Sequence, residues 1–257
     1  MKGLLILSLL APVTLSAQSA LDGTWRTDPQ SFQIVGTEKF SLQDGVYRCD
    51  SCYPKIDVKA DGQDQKVSGS PYFDTVSVRA INDHSIEIVN KKNGKVVGTS
   101  KVTASEDSKE LTNEFTFVAE SGQGGAGKYG STRVGAPPTA ASKISGEWQP
   151  GPLQSATENM VVTIYKVSGE GLSMSDLNGD SYSAKFDGKD YPFKGDPGAT
   201  TVALKKIDAN TVEETYKLDG KVVTVNRITV APDGKTLSFI FEDKLRHMTY
   251  KSVARKQ

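Results

Sequence analysis

The chain holds one pairing of residues with chemistry written into its spacing, Cys49-Asp50-Ser51-Cys52. Two thiols three positions apart can close a disulfide, exchange electrons, or fill two corners of a metal site. Asp50 and Ser51 are turn formers, and the preceding Gly45-Val46-Tyr47-Arg48 reads as strand. If Cys49 and Cys52 open and close a β-turn, their Cα atoms stand less than about 7 Å apart. Disulfides take about 4.4–6.8 Å, so the bridge is geometrically easy. Electron exchange needs a thiol lowered in pKa by a cation or a helix N-terminus. Here an acid lies between the thiols and the surroundings read as strand. Zinc needs three or four ligands, and the two histidines, His84 and His247, fall in different halves of the chain. The expectation is a structural disulfide, with thiol–disulfide chemistry and metal binding as the alternatives.

Other constellations are thin. Gly-x-Ser-x-Gly, Walker, His-Glu-x-x-His and EF-hand patterns are all absent. Asp187-Gly-Lys-Asp190 and Asp176-Leu-Asn-Gly-Asp180 gather carboxylates, but calcium loops need more oxygen ligands in register. They read as hydrated turns. Glu87 and Glu213 recur at matching places beside Lys91 and Lys217 and read as cross-strand charge partners. Tyr182, Phe186, Tyr191 and Phe193 crowd one stretch, where they either fill a core or line a cavity. This inventory points to a protein that is not an enzyme, with no cofactor and no metal.

The first residues, MKGLLILSLLAPVTLSA, have the layout of a secretory signal. Lys2 supplies the charge, Leu4 to Leu15 the apolar stretch, and Ala17 a small residue before a cut. A bilayer span needs about 20 apolar residues, more than this run or any other here offers. The reading is a periplasmic or secreted protein, which favours the disulfide. Of the 31 Lys+Arg residues, removal of Lys2 leaves 30 against 31 Asp+Glu, scattered along the chain. That balance gives no reason to expect nucleic acid as a partner.

The elements that must position these residues come as a duplication. Residues 61–115 align without a gap on residues 187–241, with 19 of 55 positions identical. Almost every segment alternates with period two, as half-buried strands do. Val76, Val78 and Ala80 share a face, as do Ile86 and Ile88, and Leu111, Phe115 and Phe117. Turn pairs such as Asn93-Gly94 and Asp219-Gly220 punctuate the strands and predict hairpins. No amphipathic helix of three turns is legible, which disfavours βαβ folds. The predicted layout is a signal at 1–17, one repeat at 18–134, a Gly/Pro linker at 135–143 and a second repeat at 144–257. Closing each meander into a barrel removes its exposed edges.

Gly23-Thr24-Trp25 and Gly146-Glu147-Trp148 each open a repeat and hold the only two Trp residues. Here the chain resembles the lipocalin-like, or calycin-like, barrels, whose first strand carries Gly-x-Trp. In that superfamily the Trp plugs one barrel end and an Arg from the last strand stacks across it. The resemblance implies Arg133 over Trp25; in the second half Arg246 and Arg255 both lie near the end. Over nearly its whole length the chain more closely resembles a group of uncharacterised exported bacterial proteins with this duplicated layout. Shared with them are Gly-x-Trp, the Cys-x-x-Cys-x-Pro run at Cys49–Pro54, Lys-x-Asp-Gly at Lys59–Gly62 and Asn-Gly-Lys-Val at Asn93–Val96. No known activity comes with that group.

The fold expected is therefore all-β: two tandem antiparallel meander barrels, lipocalin-like, with one larger barrel closed from both halves as the alternative. A cut at 135–140 separates two stable fragments only in the two-barrel case. The function expected is non-enzymatic binding of a small apolar or amphiphilic molecule. Trp25, Trp148, Tyr182, Phe186, Tyr191 and Phe193 are the candidate contacts, unless they only fill volume. The alternative is an envelope structural or interaction module with side-chain-filled barrels.

Overall fold

The computed structural model describes residues 20–137 and 141–257. The predicted signal at 1–17 and linker residues 138–140 lie outside them. The first half contributes β1 (Gly23–Thr27), β2 (Gln33–Val35), β3 (Glu38–Gln43), β4 (Val46–Cys49), β5 (Ile56–Lys59), β6 (Gln65–Lys66), β7 (Thr75–Asn82), β8 (Ser85–Lys92), β9 (Lys95–Ala104), β10 (Glu110–Val118) and β11 (Gly124–Val134). The second half contributes β12 (Gly146–Ala156), β13 (Val162–Ser168), β14 (Gly171–Asp176), β15 (Ser181–Lys185), β16 (Asp190–Lys194), β17 (Thr201–Lys206), β18 (Thr211–Leu218), β19 (Lys221–Val230), β20 (Thr236–Asp243) and β21 (Met248–Lys256). Among the described residues no helix is long and apolar enough to cross a membrane.

The strands form two antiparallel barrels, as the alternation predicts. The turns Asn93-Gly94 and Asp219-Gly220 have positive φ at both residues, as tight hairpins require. The register sends Val76, Val78, Ile86, Val102 and Leu111 into one core, and Val202, Leu204, Val212, Ile228 and Leu237 into the other.

Barrel membership does not follow the repeats. The Gly-x-Trp strand β1 lies between β13 and β21 and closes the second-half barrel. Strand β12, which carries the other Gly-x-Trp, lies between β3 and β11 in the first-half barrel. Each half thus lends its Trp strand to the other. The second-half barrel is a closed ring of β1 and β13–β21, with β2 added beside β21. The first-half barrel runs from β5 through β4, β3, β12 and β11 to β6, leaving a seam between β5 and β6. At that seam the Gln65 side-chain amide donates to Lys59 O at 2.8 Å and accepts from Lys59 N at 2.9 Å. It stands in for a neighbouring strand, which keeps the edge from lying open.

Candidate functional site

The two Trp slots share one construction. Trp25 and Trp148 are fully buried. Each indole N–H donates to the carbonyl four residues back, Leu21 O at 2.8 Å and Ile144 O at 2.9 Å. A cation from the neighbouring strand covers each ring: Lys256 Nζ lies 5.3 Å from the Trp25 centroid, and Arg133 Cζ lies 4.0 Å from that of Trp148. Arg133 also donates to Ser145 O, Lys143 O and Ser108 O. The Gly of the motif makes room for the cation. Gly23 and Gly146 hold φ of 137° and 145°, and a Cβ there would meet Lys256 Cε at 2.6 Å or collide with Arg133 Nη1.

The expectation of Arg133 over Trp25 is thus corrected. β12, not β1, pairs with β11, so Arg133 meets Trp148. Lys256 takes the matching place at Trp25; Arg246 instead pairs with Asp243 at 2.7 Å, and Arg255 lies opposite Arg26 in the ladder.

The disulfide between Cys49 and Cys52 is present, with Cα atoms 5.4 Å apart. Cys49 is buried and packs in the first-half core. At the matching place in the second half, Asp176 Oδ1 accepts from the Asn178 and Asp180 amides at 2.8 and 3.0 Å. Asn178 and Asn159 then exchange hydrogen bonds at 2.9 and 3.0 Å. A hydrogen-bonded loop replaces the bridge there. Burial raises the Asp176 carboxyl pKa, and burial with neighbouring carboxylates pushes Asp180 up to about 7.

Four of the aromatics flagged by the sequence gather with Trp25 around the second-half core, while Trp148 lies in the other barrel. Tyr182 and Phe193 face each other across β15 and β16. Phe193 meets the Tyr216 ring edge-on at 5.1 Å. Lys206 Nζ sits 4.9 Å from the Phe186 ring, and the Tyr191 hydroxyl donates to Asp187 at 3.0 Å.

The chemistry at the centre of that barrel belongs to a residue that sequence reasoning passed over. Glu214 is 1 % exposed and accepts hydrogen bonds from the Tyr182 hydroxyl, the Tyr216 hydroxyl at 2.9 Å and Asn226 Nδ2 at 2.9 Å. Burial raises its pKa, and those donors pull it partly back. The signal was available: Val212, Glu214 and Tyr216 alternate on one inward row. The first-half barrel has a smaller counterpart, in which Asn113 donates to the Tyr129 hydroxyl at 2.8 Å and Tyr129 donates to Glu38 at 2.9 Å. The side-chain oxygens of Asn113 and Asn226 are buried without a partner among the described residues.

A concavity lies outside these cores. A groove of about 660 Å³ crosses β8–β12, bounded by the cross-strand row Glu87, Lys101, Glu114 and Lys128 and by Val89, Thr99, Thr116 and Ala126. Lys128 and Glu114 pair there at 3.0 Å. Glu87 bonds Arg79 and Glu213 bonds Arg227, so both repeated acids serve as cross-strand partners. Among the described residues no cluster of three His, Cys, Asp or Glu side chains is placed to hold a metal.

No family model and no curated protein matches the chain.

Proposed function

We propose that this is an exported, non-enzymatic protein that works through its outer surface, an interaction module built on two side-chain-filled, lipocalin-like barrels. The observation that carries this reading is the second-barrel interior. Its centre is occupied by the protein's own Glu214, Tyr182, Tyr216 and Asn226, and its end by Trp25. A carboxylate already accepting three donors has little left to offer a ligand. The groove across β8–β12, lined by apolar groups and paired charges, is a surface open to contact.

The second reading keeps a small, partly apolar ligand inside a barrel. The unpartnered oxygens of Asn113 and Asn226 favour it, since a buried acceptor without a donor is costly. Native and denaturing mass spectra of protein purified from its exporting host separate the two. A bare chain under both conditions supports the filled module. Extra mass under native conditions alone would replace it with the ligand reading.

A further inference from the structure

We infer that the Gly-x-Trp strand is an exchangeable stave, and that β1 of one copy can close the second barrel of another to give a reciprocal strand-exchanged dimer. The exchange already exists within one chain. β1 reaches across from the half that supplies β3–β11 and fills a slot between β13 and β21, through four paired positions on one side and three on the other. What the slot recognises is compact: a Trp for the barrel end, a Gly that leaves room for the Lys256 side chain, and two strand edges. A second copy carries the same strand.

The segment leading out of β1 is the hinge. It comprises Asp28, the single turn Pro29–Ser31 and Phe32, after which β2 takes its own place beside β21. Asp28 caps that turn by accepting from Gln30 N at 2.9 Å, and Ser31 Oγ accepts from Val253 N at 2.9 Å. These bonds fix the path in the closed chain. In a reciprocal dimer the hinge opens and each slot regains the same contacts, so the two forms differ mainly at the hinge. Domain exchange of this kind is a low-cost route to dimers.

The register supplies the test. Arg26 of β1 lies directly opposite Arg255 of β21. Antiparallel neighbours have Cα atoms about 4.5–5.5 Å apart, within disulfide reach. Two full-length chains, one Arg26→Cys and one Arg255→Cys, are unfolded without reductant, mixed at high concentration, refolded and oxidised. Exchange between copies gives a covalent mixed dimer as the main cross-linked product. The double variant R26C/R255C, oxidised before mixing, locks β1 into its own chain and abolishes dimer formation. The inference is overturned if the double variant closes its disulfide within one chain while the mixed single variants give no more heterodimer than a control pair carrying only Arg26→Cys.

Discussion

Burying Glu214 in the second barrel ties stability to pH. Its folded pKa lies above the ordinary value of 4.5 because the carboxylate has been taken out of water. As pH rises past that ordinary value the unfolded chain releases the proton while the fold retains it, so stability falls through the window between the two values. Glu214→Gln, which keeps the shape but turns one accepting oxygen into a donating amide, should therefore gain melting temperature relative to the parent as pH rises from about 4 to about 8. Asp180 follows the same sign, with a window running from its ordinary 3.8 up to about 7. Asp180→Asn should gain thermal stability over that span and gain little below it. Equal melting shifts at both pH values would show that neither burial acts through protonation. Glu214 was legible in the alternation of its strand but masked by its neighbour. Glu213 is the acid that recurs in the repeat, and it points the other way, to Arg227.

Among the elements, the Gly-x-Trp strands carry the most consequence. Truncating a buried Trp costs about 3–5 kcal/mol. Because β1 belongs to the second-half barrel, Trp25→Ala should strip amide-exchange protection from β13–β21 and spare β7–β11. Trp148→Ala should do the reverse. The opposite pattern would mean that each strand closes its own half. The Cys49–Cys52 bridge is a smaller matter. Its four-residue loop contributes about 2 kcal/mol by chain entropy, so Cys49→Ser with Cys52→Ser should lower the denaturation midpoint modestly and leave the strand spectrum intact. Most strands were legible because alternation and Asn-Gly or Asp-Gly turns are local signals. The partners of β1 and β12 were not. Both slots offer the same chemistry, a Trp, a Gly and a covering cation, so no residue type records which slot each strand enters.

For the whole molecule, closure follows from the repeat, since an open meander would leave an apolar face and two edges bare. That the strands close as two barrels and not one larger barrel is seen in their pairing. Their independence does not follow. A linker cut was expected to release two separable units, yet the exchange makes each fragment incomplete. Residues 20–137 hold β1 but lack β12, and residues 141–257 hold β12 but lack β1. The barrels are also tied at Tyr72, whose hydroxyl reaches Asp196 at 3.4 Å, and at Ser121, which donates to Asn178 O. Those contacts are polar and exposed and would not hold two units together alone. The strand exchange would. The decisive measurement is to place a specific protease site at 138–140, cleave the folded protein, and follow the fragments by native mass spectrometry and size exclusion. Both fragments should travel as one species of intact mass, part only in denaturant, and fail to refold alone while recovering when mixed. Two fragments that separate in plain buffer, each with a folded β spectrum, would show that no strand is shared between the barrels.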